Sequence, residues 1–86
     1  MTAAQLPLPA VKPHAPVDLA VWADFAARWA ELEREHVVPR RRIEPATCFL
    51  YALGAWVVAV VDGREWSAHG DNARDAADDM FRRVNA

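Results

Sequence analysis

Cys48, His36, His69 and the run Arg40-Arg41-Arg42 are the residues of this chain whose types could do chemistry. A thiol becomes a nucleophile beside a base or a cation, and nothing in the spacing of Cys48, His36 and His69 supplies that arrangement. Cys48 stands in an apolar run, where a buried, inert thiol is expected. The isolated histidines His14, His36 and His69 and one cysteine make no zinc pattern. Glu31, Glu33, Glu35 and the pair Asp78-Asp79 fall on helix faces expected to face water. Gly54, Gly63 and Gly70 are the only glycines, and they are too scattered to cradle a phosphate. The reading is therefore a non-enzyme without a cofactor or metal.

The arginine run has two readings. It can be a solvated connector, or a patch that meets phosphates or an acidic protein surface. Three arginines give only a weak, salt-sensitive contact, and the flanking Glu35 and Glu44 weaken it further.

The elements that would position these groups come from a chain of 86 residues, enough for one domain. A chain this short buries only roughly 60% of the surface it exposes unfolded. Four tryptophans, Trp22, Trp29, Trp56 and Trp66, compensate, since each aromatic can withdraw about 150–250 Å² from water. A lone cysteine excludes an internal disulfide and points to a reducing compartment. The net charge of −2 gives no global attraction for nucleic acid or acidic membranes. Basic charge is almost all arginine, with Lys12 the single lysine, a bias of GC-rich bacterial or phage genomes. The apolar run Ala46 to Val61 is shorter than the ~20 residues a spanning helix needs and is broken by Gly54. Residues 1–5 do not resemble a secretion signal. A cytoplasmic location with no membrane contact is expected.

Residues 1–16 carry Pro7, Pro9, Pro13 and Pro16 and are expected to form a flexible, polyproline-like tail. Leu6-Pro7-Leu8-Pro9 could alternatively dock in a proline-reading groove. The domain is expected over residues 17–86. A first helix should be capped by Asp18 and end near His36, with Trp22, Phe25, Trp29, Leu32 and His36 as its apolar stripe. Asp24 and Arg28 are spaced for an i,i+4 pair. Val37 to Pro45 reads as a connector because of its two prolines. Thr47 to Tyr51 reads as a strand, with a helix over 46–53 as the competing reading.

The hairpin is the strongest signal. Trp56 to Val61 meets Asp62-Gly63, which suits a type I′ turn, and Arg64 to Ala68 follows. That register pairs Val61 with Arg64, Ala59 with Trp66 and Val57 with Ala68. The opposite face carries Trp56, Val58 and Val60 with Glu65, Ser67 and His69. A last helix, capped by Asp71, should run to Val84 with Ala73, Ala76, Ala77, Met80, Phe81 and Val84 as its stripe. Asp78–Arg82 and Asp79–Arg83 are its i,i+4 pairs. The fold class is α+β: an α-β-β-β-α chain with a three-stranded antiparallel sheet and two helices on one face.

Val57-Val58-Ala59-Val60-Val61-Asp62-Gly63-Arg64, followed by Gly70-Asp71-Asn72-Ala73-Arg74-Asp75-Ala76-Ala77, resembles the C-terminal half of a double-stranded RNA-binding domain. The rest of the chain matches only by element order. The resemblance implies RNA contacts from a basic start to the last helix, from a loop between the first two strands and from the first helix. Here that helix start has only Arg74 as a cation among Asp75, Asp78 and Asp79, and the turn at 52–54 is short and apolar.

Two helices can cover only one side of such a sheet, so Trp56, Val58 and Val60 should face away from them. An antiparallel sheet usually solvates that side, and an apolar strip there marks an interface. The tail or the 37–45 connector could instead fold over it. The leading expectation is a small protein-binding module. Its contacts would be Trp56, Val58, Val60, Glu65 and His69, with a homodimer as one form. A phage or mobile-element inhibitor of the anti-CRISPR or anti-restriction kind fits the size. The alternatives are a degenerate double-stranded nucleic-acid binder using Arg40, Arg41, Arg42 and Arg74, and a subunit of a larger enzyme.

Overall fold

The computed structural model describes residues 17–86; the expectations for the proline-rich tail lie outside them. The elements are α1 (Leu19–His36), β1 (Ile43–Tyr51), β2 (Gly54–Val61), β3 (Arg64–Gly70) and α2 (Ala73–Val84). The strands form one antiparallel sheet in the order β1-β2-β3. The α+β fold class and its element order are as expected from the sequence.

Asp18 caps α1, its Oδ1 accepting from the backbone N–H of Ala20 (3.1 Å) and Val21 (3.3 Å). The buried stripe is Val21, Phe25, Trp29 and Leu32. This corrects the expected stripe at both ends. Trp22 is only partly buried, stacked on Phe25. His36 is exposed, lying against the Phe81 ring and bonded through Nδ1 to the Leu32 carbonyl. Val37 closes the helix in the left-handed region, at φ 48°.

The connector is shorter than its prolines suggested, because β1 already begins at Ile43 and contains Pro45. β1 is an edge strand, where a missing N–H costs no ladder bond on the open side. The register shifts between Pro45 and Thr47, so the chain bulges at Ala46 and resumes pairing with Thr47 opposite Val58. The strand over Thr47 to Tyr51 holds and the competing helix does not form. The β2–β3 turn has Asp62 at φ 51° and Gly63 at φ 83°, as a type I′ turn requires. Its register is the expected one.

Asn72, rather than Asp71, caps α2: its side chain accepts from the Asp75 N–H at 2.9 Å. Gly70 lets α2 start close to β3, since a Cβ there would lie 2.7 Å from the Asp75 Cβ and 2.9 Å from the Ala76 N. The core joins both helices to one side of the sheet. Phe25, Trp29, Met80 and Phe81 meet Cys48, Ala55, Val57, Ala59, Val61 and Ala68. Small residues on β2 and on the start of α2 give room for the large aromatics. Trp29 stacks on Phe25 and meets Phe81 edge-on, at centroid distances of 5.9 and 5.1 Å.

Of the local pairs expected, Asp79–Arg83 forms at 3.0 Å, whereas Arg28 and Arg82 take other acids than Asp24 and Asp78. Arg28 bonds Asp78 across the two helices (2.6 Å) and Glu31 within α1 (3.1 Å), while Arg74 reaches Glu31 at 2.6 Å. Asp79 takes both Arg82 and Arg83. Glu31 and Asp78 are thus ion-paired between helices and are not simply solvated. No described helix is long and apolar enough to cross a membrane.

Candidate functional site

Strand alternation puts Ala55, Val57, Ala59 and Val61 under the helices and Trp56, Val58 and Val60 on the other side of β2. Among the described residues, no helix or strand packs on that second side. The register arranges it as rows across the three strands. Glu44, Val60 and Glu65 form the first row. Thr47, Val58 and Ser67 form the second. Phe49, Trp56 and His69 form the third, and Tyr51 lies beyond them opposite Gly54. Phe49 and Trp56 meet edge-on at 5.5 Å.

The face is therefore graded, with acids at the hairpin-turn end, hydroxyls beside a central valine, and aromatics with an imidazole at the other end. Val58 is 9% exposed, Trp56 and Val60 are partly exposed, and Glu65 and His69 are exposed. Trp56, Val58, Val60, Glu65 and His69 all share this face. Its β1 contribution, Glu44, Thr47, Phe49 and Tyr51, was missed from the sequence. The alternation of Thr47, Phe49 and Tyr51 was the available signal, and it needed the pairing with β2 to acquire a direction. Past Val60 the face continues into an open hollow of about 520 Å³ lined by Arg42, Glu44, Asp62 and Gly63. The connector does not cover the face, because Val38 packs against the helix-side core.

Both outer edges of the sheet are partly occupied. The Asp18 N–H donates to the Cys48 carbonyl on β1 (3.1 Å), and the Arg83 guanidinium donates to the Ser67 carbonyl on β3. With Pro45 and its bulge, these contacts obstruct strand addition at either edge. On the outer face Thr47 and Val58 are nearly buried, and Phe49, Trp56 and Val60 are partly exposed.

The arginines do not converge on one patch. The Arg41 N–H donates to Glu33, and its side chain to Asn85 (3.0 Å) and Asp62 (3.2 Å), tying connector, α2 and hairpin turn together. Arg42 pairs with Glu44 at 2.7 Å, and Arg74 pairs with Glu31. Arg40 is exposed and lines a surface groove with Glu33 and Arg34. Arg74 opens α2 whereas Arg41 meets its C-terminal cap, about 16 Å away along the helix axis. Glu31 is held below the usual carboxylate range by its bonds from Arg74 and then Arg28, against the effect of desolvation.

Cys48 is buried on the helix side, its Sγ 3.2 Å from the Asp18 carbonyl. Desolvation pushes its thiol up, away from the thiolate, and the hydrogen bond to Asp18 only partly opposes this. His69 is on the opposite face of the sheet and His36 against Phe81, so neither is placed as its base. Among the described residues, no cluster of His, Cys, Asp or Glu could hold a metal ion.

The chain matches no protein-family model, no curated protein and no solved structure.

Proposed function

We propose that this chain is a non-enzymatic protein-binding module, an inhibitor or adaptor, that engages its partner through the outer face of the sheet. The observation that carries this reading is the apolar centre of that face, Phe49, Trp56, Val58 and Val60, framed by Glu44, Glu65 and His69. An apolar centre with a polar frame is the anatomy of a protein interface, and tryptophan is enriched among its anchors. The nucleic-acid alternative is less favoured, because Arg41, Arg42 and Arg74 are already paired with carboxylates of the same chain.

Affinity capture from the source cell with the full chain tests this. The double variant Trp56→Ser, Val60→Lys should lose the captured protein while keeping the wild-type circular dichroism spectrum. The triple variant Arg40→Ala, Arg42→Ala, Arg74→Ala should keep it. A partner retained by the face variant would overturn the proposal. So would a salt-sensitive mobility shift on duplex nucleic acid abolished by the arginine variant.

A further inference from the structure

We infer that the chain's own N-terminal segment, residues 1–16, covers the centre of the outer face and competes there with the partner. The competition rests on the protein-binding reading of this face, whereas the cover rests on burial. Thr47 is 4% exposed and Val58 9%, yet neither belongs to the helix-side core. Both lie on the outer side, where no described helix or strand packs. Ser67 completes their row at the other edge of the sheet, and it is exposed. Thr47 and Ser67 are both edge residues, so neighbours within the sheet alone should leave them similarly open. Their difference places a cover over β1 and β2 and not over β3.

The described elements do not supply that cover. Both helices pack on the opposite side, and the connector turns Val38 into the same core. Asn85, at the end of α2, bonds Arg41 and the Phe81 carbonyl. What remains is the chain before Val17, and it starts in the right place. The Asp18 N–H is held by the Cys48 carbonyl at the open edge of β1, one residue from Thr47. Sixteen residues can reach about 50 Å from there. The neighbouring strand is only about 5 Å away, and two residues along a strand span about 7 Å.

The composition of the segment suits the face. Leu6, Leu8 and Val11 offer apolar side chains, and Pro7 and Pro9 bring no N–H that would lose its hydrogen bond on an apolar surface. The same prolines cannot donate to a ladder, which favours covering the face over extending the β1 edge. Residues 1–16 include Lys12 and no acid, while the face is framed by Glu44 and Glu65. Being tethered, the segment meets the face at an effective concentration on the order of millimolar. A partner that needs Trp56 and Val60 must displace it, so its apparent affinity falls with the fraction of chains left uncovered.

Nuclear Overhauser contacts in the full chain test this. Methyls of Leu6 and Leu8 should meet Thr47, Val58 and the Trp56 ring. A mixture of labelled and unlabelled chains should place these contacts within one chain. The triple variant Leu6→Ser, Leu8→Ser, Val11→Ser leaves the helix-side core intact. It should abolish the contacts, shift the Trp56 indole N–H while Trp29 stays in place, and tighten binding of the protein captured from the source cell about tenfold. Missing contacts, contacts only between chains, or a Trp56 signal indifferent to the variant would overturn the inference. Missing contacts with a protein still captured through Trp56 and Val60 remove the cover and leave the protein-binding reading standing. Contacts within the chain, with no protein captured by wild type or variant, keep the cover and overturn the competition together with that reading.

Discussion

Asp18 and Cys48 hold each other twice. The Asp18 N–H donates to the Cys48 carbonyl at 3.1 Å, and the Cys48 thiol lies 3.2 Å from the Asp18 carbonyl. The residue that caps α1 is thereby fastened to the open edge of β1, so the helix start and the sheet edge are one structural unit. The same contact occupies the strand group that another chain would need for edge pairing.

The thiol follows from that geometry. Burial raises the Cys48 pKa, so the group is a protonated thiol tucked under α1. Alkylation by iodoacetamide in native buffer should be at least about a hundredfold slower than in denaturant, limited by opening of the structure. Rapid native labelling would show that the α1–β1 junction is open.

Stability should fall on the acid side for a nameable reason. Arg74 and Arg28 lower the Glu31 pKa in the folded state below its unfolded value. The associated stabilisation is full above the unfolded pKa and is lost as pH falls through the folded one. The double variant Arg28→Gln, Arg74→Gln should flatten this acid limb of chemical denaturation, and salt should flatten it too, because the pairs lie near the surface. An unchanged acid limb would show that these pairs do not contribute.

Much of this architecture is legible in the amino-acid order. Asp62-Gly63 sets the β2–β3 register, and the stripe from Ala73 to Val84 marks the helix-side layer. The β1 boundary was not legible, because Pro45 reads as a breaker until the strand is known to be an edge with a bulge at Ala46. Asp71 and Asn72 are adjacent and chemically equivalent as caps, so only geometry distinguishes them. Arg28 bonds Glu31 of its own helix and also Asp78 of the other rather than Asp24; such choices depend on packing that a linear pattern does not contain. The β1 half of the outer face was hidden because Thr47, Phe49 and Tyr51 acquire a side only through their pairing with β2.

Val37 stores local strain. It is β-branched, has φ 48°, and is 88% exposed at the end of α1. A left-handed conformation costs a side-chain-bearing residue about 1–2 kcal/mol, and glycine is the usual occupant of this position. Val37→Gly should therefore stabilise the chain by about 1 kcal/mol in urea denaturation. A loss of stability would mean that the Val37 side chain makes a contact that outweighs its backbone strain.

Close approach between β2 and β3, and between β3 and α2, can be tested at glycine. A Cβ on Gly54 would lie 2.1 Å from the Gly70 carbonyl oxygen, whereas one on Gly63 meets nothing within 4 Å. Gly54→Ala and Gly70→Ala should each cost about 1–3 kcal/mol or more through forced backbone movement. Gly63→Ala should cost about 1 kcal/mol, through its positive φ alone. Urea midpoints that rank Gly63→Ala as the worst would contradict this packing.

The four tryptophans offer the most direct test of the face. Trp56 is on the outer side, Trp29 is buried among helix-side aromatics, and Trp22 and Trp66 border that same helix-side core. Their indole N–H signals can be followed separately by NMR as a captured partner is added. The Trp56 indole should shift first and farthest, while Trp29 stays in place. Movement of Trp22 or Trp29 with a stationary Trp56 would place binding on the helices and contradict binding through the outer face.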